Sequence, residues 1–364
     1  MTFSDMGSTL SSPARFGSTV ITPPTAKQFE FRGSGSEYFR IWIVNLLLTI
    51  ITFGIYSAWA KVRKAKYLYG STNLHGYAFE YHGDPMAIFK GRLIALAMII
   101  FYNLALTFSR PIGLLAIAAF MVIMPWLVWK SLQYKLHNSS YRGIRFRFGG
   151  ELGSAYKLYL GMTLLNTLTL GLLTPLVHQR IKKYQHSKSH FGQTRFNFYA
   201  SGADFYGRYG LAFLIFVLGE LTIAAGLSVI SLPQVLIGLL PTGAPIKILV
   251  GVFATYIWIF ALFPIFLALI QNLIWNNTTL GSAHFVSAMK WPRMVVIMLT
   301  NLLCIVCTLG LFTPFAKIRA LRYRIESLSV TSNENFEQFM AVPQAELTAA
   351  GEGAADLFGF DISL

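Results

Sequence analysis

Long stretches without any Lys, Arg, Asp or Glu constrain this chain more than any other feature. They cover residues 41–60, 93–109, 111–129, 158–179, 248–289 and 294–316, and residues 209–246 hold one formal charge, Glu220. A helix needs about 20 apolar residues to cross a bilayer, so each stretch can cross or enter one. Charged residues make up 12% of the chain and the mean hydropathy is +0.54, whereas a soluble domain carries about 25% charged residues. The pattern predicts an integral membrane protein and excludes a soluble enzyme.

The charges are distributed unevenly. The net charge is +15, yet residues 327–364 contain six acids and no Lys or Arg, so all 30 basic residues precede them. Basic residues beside apolar segments are typical of the cytoplasmic face of a membrane and suit anionic lipid headgroups. The pattern therefore predicts the bilayer and anionic lipid headgroups as partners rather than nucleic acid, and it leaves a protein partner open.

Composition divides the chain into three regions. Residues 1–28 are rich in Ser, Thr and Pro and lack an apolar run, which predicts a disordered cytoplasmic tail rather than a signal peptide. Residues 29–326 form the polytopic membrane domain, and residues 327–364 form an acidic C-terminal tail. We expect both termini on the cytoplasmic side of a bacterial inner (plasma) membrane.

An internal repeat is the most informative pattern. Asn45–Tyr67, Met162–Tyr184 and Asn301–Tyr323 align without a gap and share Thr, Gly, Arg and Tyr at equal offsets. The repeats extend over residues 39–67, 156–184 and 295–323, and helical hairpins at 92–130 and 209–275 separate them. The sequence thus predicts a mainly α-helical membrane bundle with three broken-helix repeats.

A second recurring element lies between the apolar segments. Turn residues are followed by aromatic residues that alternate with polar ones, as around Phe79, Phe146, Phe196 and Phe285. This alternation is typical of short β-strands. We expect short β-hairpins at the cytoplasmic surface that pair into one small sheet, because unpaired strand edges are not tolerated in lipid.

The break in each repeat allows two topologies. Each repeat runs apolar, breaks at a Gly and continues as a basic segment, and glycine favours a helix stop or kink. In the re-entrant alternative the chain enters the membrane, turns at the break and returns to the cytoplasmic side. In the other alternative each first arm crosses fully, which leaves a basic cluster such as residues 180–183 outside, against the positive-inside rule.

Several segments resemble the YjgN-type bacterial inner-membrane family. The similar segments are Phe39–Asn45, Gly54–Arg63, Phe79–Pro85, Lys90–Leu93 and the acidic-aromatic terminus Ala354–Leu364. The resemblance covers residues 29–364 and implies a multi-span inner-membrane protein. It supplies no catalytic residues.

Two groups of residues are candidates for a transport pathway. Glu220 lies within an apolar stretch, where an ionisable group is costly unless paired, so it is a candidate for cation binding or proton relay; a structural ion pair is the alternative. Broken helices line substrate sites in transporters, whereas small residues also serve close helix packing. The candidates at the breaks are Thr52, Gly54, Thr169, Gly171, Thr308 and Gly310.

The basic second arms are candidates for binding lipid headgroups. The residues concerned are Lys61, Arg63, Lys64, Arg180, Lys182, Lys317 and Arg319. The alternative is that their side chains simply extend to the interface beside a belt of aromatic residues that includes Tyr67, Tyr184 and Tyr323.

Other motifs carry little chemistry. Cys304 and Cys307 form a lone CxxC inside an apolar stretch, which favours packing over a metal or redox site. His82 and Asp84 share one turn, and a turn-stabilising pair explains them without catalysis. We therefore expect no enzyme, no metal and no cofactor. The leading hypothesis is that a centre lined by the repeats binds or passes a small solute, ion or lipid. The alternative is a non-catalytic scaffold that binds anionic lipid or a protein partner.

Overall fold

The computed structural model describes residues 25–229 and 245–332, which are mainly helical. The strands are β1 Thr25–Gln28, β2 Glu30–Phe31, β3 Thr72–Leu74, β4 Tyr77–Tyr81, β5 Ser139–Tyr141, β6 Ile144–Phe148, β7 Ser189–Phe191, β8 Thr194–Phe198, β9 Thr278–Leu280, β10 Ala283–Ser287 and β11 Leu328–Ser332. The helices are α1 Gly35–Ile51, α2 Ser57–Gly70, α3 Pro85–Phe108, α4 Arg110–His137, α5 Leu152–Ala155, α6 Thr163–Leu168, α7 Thr174–Ser187, α8 Gly202–Val229, α9 Pro245–Asn276, α10 Trp291–Cys307 and α11 Thr313–Glu326. A π-helical segment, Tyr156–Met162, joins α5 to α6.

The strands form one closed β-barrel. Each strand from β3 to β11 pairs antiparallel with the next. β1 pairs with β11 and β2 pairs with β3, and only Phe29 separates β1 from β2. This first stretch of chain therefore closes the ring, which satisfies the edge amides that an open sheet would leave free. The sequence predicted one small sheet. The structure shows a closed barrel in which the two ends of the described chain pair with each other.

Ten apolar side chains from the strands fill the barrel. Each of the four β-hairpins contributes two, and β11 and the segment between β1 and β2 contribute one each; we name them the apolar plug: Phe29, Leu74, Phe79, Tyr141, Phe146, Phe191, Phe196, Leu280, Phe285 and Val330. The rings of Phe29, Phe79, Phe146, Phe196 and Phe285 follow one another with centroids 6.1–6.4 Å apart. Such rings gain both buried area and favourable stacking. The plug closes the barrel along its axis.

Each β-hairpin turns at one rim of the barrel and continues into helices at the other. Both turn residues of the first two tight turns have positive φ, His75 with Gly76 and Arg142 with Gly143, as two-residue hairpin turns require. Every connection between a strand and a helix lies at the rim opposite the tight turns, so all helices lie on that side of the barrel. Proline in the first turn of α3 and α10 fits the helix starts at that rim, and proline in the first turn of α4, α7 and α11 fits the starts of second helices at the far ends of the helical hairpins.

The helices form five helical hairpins that pack into a closed ring. The first hairpin is α1 with α2, the second α3 with α4, the third α5 to α7, the fourth α8 with α9, and the fifth α10 with α11. Each hairpin packs against the next, and α11 of the fifth returns to α1 of the first. The three repeats of the sequence are the first, third and fifth hairpins, and the two separating hairpins occupy the same place in the ring.

Four helices within the described residues are long and apolar enough to cross a membrane: Pro85–Thr107, Arg110–His137, Gly202–Ser228 and Ile248–Asn276. They belong to the second and fourth hairpins. Between 6% and 22% of each spanning window is buried inside the protein, so most of this apolar surface faces outward, as expected for lipid contact. The expectation of a mainly helical membrane protein is confirmed.

Two boundaries differ from the sequence-based expectation. Residues 25–28, assigned to the N-terminal tail, form β1, and residues 328–332, assigned to the acidic tail, form β11. They pair with each other over four residue pairs, and neither segment has a partner nearby in sequence that would reveal this. The remaining tail residues, 1–24 and 333–364, lie outside the described part of the chain.

Candidate functional site

A tyrosine hydroxyl fixes the base of most helical hairpins. Tyr67 accepts a hydrogen bond from Ser34 N at 2.8 Å and donates one to Ser34 O at 2.9 Å. Tyr134 makes the same pair with Asp84, and Tyr323 makes it with Lys290. In the third hairpin, Tyr184 donates to Glu151 O at 2.9 Å. The hydroxyl thus ties the end of each second helix to the start of its first helix. The alternative prediction from the sequence placed three of them, Tyr67, Tyr184 and Tyr323, in an interfacial aromatic belt.

The alignment of the hairpins also places polar side chains at matching positions near the ends of the second helices. Each second helix is followed by a strand that holds a plug residue. The residue six positions before that plug residue is polar in three hairpins, namely Lys135, Gln185 and Arg324, and apolar in the other two, namely Leu68 and Ile274. Nine residues before it lie Lys182 and Gln271. These offsets are one turn apart, so the two positions share one helix face.

We name Lys135, Lys182, Arg324 and Gln271 the central basic cluster, because the charges of Lys135 and Arg324 act on Lys182 and Gln271 is hydrogen-bonded to Arg324. Arg324 Nε donates to Gln271 Oε1 at 2.9 Å, and Gln271 Nε2 donates to Arg324 O at 3.1 Å. The positive charges of Lys135 and Arg324 both act on Lys182. Since α7 packs on α8 while α11 packs on α1 and α10, Arg324 approaches Lys182 from across the ring.

Burial and neighbouring charge make Lys182 unusual. Burial and then the charges of Lys135 and Arg324 lower the pKa of Lys182 to about 8. Gathering like charges in a partly buried place is unfavourable unless an anion joins them.

His186 connects the central basic cluster to the apolar plug. Its ring lies 5.4 Å from Phe198 and 5.7 Å from Trp275, and Trp275 packs on the plug. Thr278 Oγ1 lies 3.3 Å from Nδ1, while the buried Nε2 has no hydrogen-bond partner. Burial, and then the charge of Lys182, lowers the pKa of His186 to about 3. The imidazole is therefore neutral at physiological pH.

The predicted lipid-headgroup residues divide into two sets. Arg63, Lys64, Arg180 and Arg319 are exposed, whereas Lys61, Lys182 and Lys317 are half-buried. Arg319 donates to Asn301 Oδ1 at 2.8 Å, which steadies it on the surface. The exposed set suits bulk lipid headgroups. Lys182 is the member that joins the central basic cluster.

The predicted pathway residues at the breaks form three matching turns. Phe53, Leu170 and Leu309 have φ of 48°, 52° and 50°, and the glycine after each is also positive. The amides of Gly54, Gly171 and Gly310 donate to carbonyls five residues back at 2.7–2.8 Å. This is a Schellman cap.

The threonine hydroxyls serve the same turns. Thr52 Oγ1 donates to Leu48 O at 2.7 Å and accepts from Tyr56 N at 3.0 Å, and Thr308 does the same with Cys304 O and Phe312 N. Thr169 donates within its own turn. These hydrogen bonds favour a structural role for the six break residues, since their polar groups already have partners.

Glu220 lies on a different hairpin from the breaks. Thr255 Oγ1 donates to Glu220 Oε2 at 2.9 Å across α8 and α9, and Glu220 Oε1 is buried without a partner. Within the described residues its side chain pairs with a hydroxyl rather than with a cation. The structure separates it from the central basic cluster, which draws on α4, α7, α9 and α11.

Lys135, Arg324 and Gln271 were missed from the sequence. The signal that could have found them is their position before a plug residue: Lys135 and Arg324 lie six residues before Tyr141 and Val330, and Gln271 lies nine residues before Leu280. That offset has meaning only once all five hairpins are aligned, and the sequence revealed three copies.

The fold and its outward apolar helices define an integral membrane protein of five helical hairpins on a closed β-barrel. The family described as "Bacterial protein of unknown function (DUF898)" matches residues 26–357, and the chain belongs to this family.

Relatives support the membrane assignment. The chain is similar to "Inner membrane protein YjgN" of Escherichia coli O157:H7, 29% identical over 144 residues that cover 39% of this chain and 36% of the relative. It is equally similar to the protein of that name from Salmonella typhimurium, 29% identical over 148 residues that cover 40% of this chain and 38% of the relative. The match thus covers little more than a third of each relative. No solved structure matches the chain. The resemblance drawn from the sequence is confirmed.

Proposed function

We propose that this protein is a non-catalytic, multi-pass inner-membrane protein that binds a small anion, such as the phosphate of a lipid headgroup or of a solute, at the central basic cluster. The proposal is supported by the charges of Lys135 and Arg324, which act on the largely buried Lys182 from two other helices of the ring. Buried like charges of this kind are stabilised when a bound anion compensates them.

The apolar plug supports binding rather than free passage along the axis. Ten packed side chains fill the barrel below the cluster, and a packed core leaves no room for a solute. The ligand therefore approaches from the membrane side of the ring. Passage of a solute or ion through the centre would require the plug to move.

The distribution of charge supports a cytoplasmic barrel. The exposed Arg63, Arg180 and Arg319 lie on second helices that return to the barrel rim, and basic residues favour the cytoplasmic face. Strands β1 and β11 pair in that barrel, so both chain ends leave from the cytoplasmic side. In this orientation the second and fourth hairpins cross the membrane, and the other three enter it and return.

A thermal-shift experiment on purified protein in mild detergent tests the proposal. The variant Lys182→Met removes the buried charge, and Lys183→Met is the matched control because Lys183 is the adjacent, exposed lysine. We expect an anionic phospholipid or inorganic phosphate to raise the melting temperature of the wild type and of Lys183→Met, but not of Lys182→Met.

The control against misfolding comes from the same series. Removing a charge that is buried among like charges should leave the ligand-free protein at least as stable as the wild type. Equal ligand-induced shifts in all three proteins, or no shift with either probe, would contradict binding at the central basic cluster.

The closed barrel also favours the alternative function, a scaffold on which anionic lipid or a protein partner binds the outer basic surface. In that case Arg180→Glu would reduce the anionic lipid that the purified protein retains in detergent, while Lys182→Met would not. The two variants therefore separate the two functions in one measurement of retained lipid.

A further inference from the structure

We propose that the acidic tail segment, residues 333–364, binds a row of basic side chains on the outer wall of the barrel. We name the four side chains of this surface the basic row: Arg147, Lys188, His190 and Arg195. The surface lies apart from the central basic cluster, and the proposal does not depend on that cluster. It is carried by the pairing of three neighbouring strands and by the charge and starting point of the tail segment.

Strand pairing places the basic row side by side. Arg147 of β6 lies directly opposite His190 of β7, and His190 lies directly opposite Arg195 of β8. Directly opposite residues share one face of a sheet, with Cβ atoms about 5 Å apart. The adjacent Phe146 and Phe191 belong to the apolar plug inside the barrel, so the alternation of side chains turns the basic row outward.

Two side chains of the row are exposed and two are half-buried. Arg147 and Arg195 are exposed, whereas Lys188 and His190 are half-buried. Burial, and then the charge of Arg147, lowers the pKa of His190 below its ordinary 6.5, although a hydrogen bond to the Lys188 carbonyl opposes this shift. The charges of Arg195 and Lys188 lower that pKa further. The imidazole is therefore neutral at pH 7, and the other three side chains supply the positive charge of the row.

No acidic side chain of the described residues compensates the basic row. The seven strands from β5 to β11 contain no Asp or Glu. None of the four side chains forms an ion pair with a carboxylate in the described part of the chain. Arg195 Nε donates to the Ser187 carbonyl, which holds the guanidinium against the sheet without neutralising it.

The tail segment has the complementary charge. It contains no Lys, Arg or His and six acids: Glu334, Glu337, Glu346, Glu352, Asp356 and Asp361. It follows β11 directly, and β11 is a strand of the same barrel as the basic row. The tail segment therefore starts in the same compartment as the row, whichever way the protein is oriented in the membrane.

The tail segment is long enough to reach the row. Three strand spacings separate β11 from β8, and five separate it from β6, which corresponds to about 14 Å and 24 Å along the wall. An extended chain covers about 3.3 Å per residue, so the fourteen residues from Ser332 to Glu346 span up to about 46 Å. The four acids from Glu346 onward can therefore meet any member of the row.

The covalent link makes weak ion pairs sufficient. A single exposed ion pair contributes little, but a linked segment meets its site at a local concentration of about 1 mM or more. An anionic membrane surface would also attract arginines. All helices lie on one side of the barrel, however, so the bilayer faces the rim at which they begin rather than the wall that carries the row.

A zero-length cross-link tests the contact directly. Arg195→Lys keeps the charge and places an amine in the basic row, and Arg63→Lys places one on the exposed surface of α2 as the matched control. Full-length protein in mild detergent is treated with a water-soluble carbodiimide, which joins a carboxylate to an amine that touches it. We expect mass spectrometry to find cross-links within one chain between the tail segment and position 195, and none to position 63. These cross-links should be lost in 1 M salt, where the screening length is about 3 Å.

Three results of this experiment would overturn the proposal. Equal cross-linking of positions 63 and 195 would mean that the tail segment has no preferred site. Cross-links that join only separate copies of the chain, recognised by the mass of a dimer, would mean that the contact is intermolecular. Absence of any cross-link to position 195 would mean that the tail segment does not meet the row.

Limited proteolysis shows whether the arginines hold the tail segment. The variant Arg147→Gln with Arg195→Gln is compared with Arg63→Gln with Arg180→Gln, which loses the same charge from exposed positions outside the barrel. A segment bound about two-thirds of the time is cleaved about threefold more slowly than a free one, because cleavage follows the free population. We therefore expect a glutamate-specific protease at low salt to cut the tail segment about threefold faster in the first variant than in the wild type or the second variant.

The same variants distinguish the tail segment from a membrane surface. Equal melting temperatures of the three proteins exclude misfolding as the cause of faster cleavage. Equal cleavage rates in all three proteins would contradict the proposal. If the first variant shows unchanged cleavage but binds phosphatidylglycerol vesicles less than the second, the row contacts lipid and the tail segment is not its partner.

Discussion

Removal of one hydroxyl should destabilise the base of the second helical hairpin. The Tyr134 hydroxyl accepts from Asp84 N at 2.8 Å and donates to Asp84 O at 3.2 Å, and Tyr134 is 2% exposed. Asp84 in turn caps α3 by accepting from Met86 N and Ala87 N. In Tyr134→Phe two hydrogen bonds are lost and the Asp84 amide loses its partner, which costs about 2–3 kcal/mol.

Heating followed by size-exclusion chromatography in detergent measures this effect. A loss of this size should lower the melting temperature by about 4–10 °C. The control is Tyr256→Phe, because Tyr256 is 68% exposed and such surface changes stay within about 0.5 kcal/mol. Tyr323→Phe should resemble Tyr134→Phe because the hydrogen bonds match. If Tyr134→Phe melts with the wild type, the hydroxyl does not tie the hairpin to its base.

Two further predictions concern helix packing and pH. In Gly219→Ala the new Cβ would lie 2.0 Å from the Trp258 ring, so we expect a loss of about 1–3 kcal/mol, whereas Gly226→Ala, with nothing within 4 Å, should be neutral or stabilising in the same melting assay. His186 has a pKa of about 3 in the fold against an ordinary 6.5; the unfolded chain therefore binds the proton first, and stability present above pH 6.5 should fall by about 2 kcal/mol at pH 5. His186→Gln should reduce this acid sensitivity by that amount, and the exposed His284→Gln should leave it unchanged; equal acid sensitivity in all three proteins would refute the assignment.

Local patterns predicted much of the secondary structure. The aromatic alternation around Phe79, Phe146, Phe196 and Phe285 indicated strands, and the four residues do lie in strands of the barrel. The glycines at 54, 171 and 310 indicated breaks, and each has positive φ there. Both features arise from short-range constraints, namely side-chain alternation and backbone freedom.

Closure of the barrel depends on the whole chain and could not be predicted. β1 and β11 are about 300 residues apart, and their pairing depends on five hairpins that complete one circle. The equivalence of all five hairpins was also hidden, because the sequences of the second and fourth lack the Thr-x-Gly pattern that the three repeats share.

The central basic cluster was partly visible in the sequence. Lys182 was singled out with its basic neighbours, but nothing in its local sequence separates it from Lys183. The ring decides the difference, since it turns Lys182 toward Arg324 and leaves Lys183 exposed. Glu220 was singled out because it interrupts an apolar stretch, and its contact with Thr255 depends on how α8 packs on α9.

The central claim is that α4, α7 and α11 converge on a bound anion. Native mass spectrometry of protein extracted from bacterial membranes in mild detergent tests it most directly, with wild type, Lys182→Met and Lys183→Met compared after loosely held lipid is stripped. The account predicts that the wild type and Lys183→Met retain a phosphate-bearing molecule and that Lys182→Met does not. Equal retention by all three proteins, or none in the wild type, would contradict it.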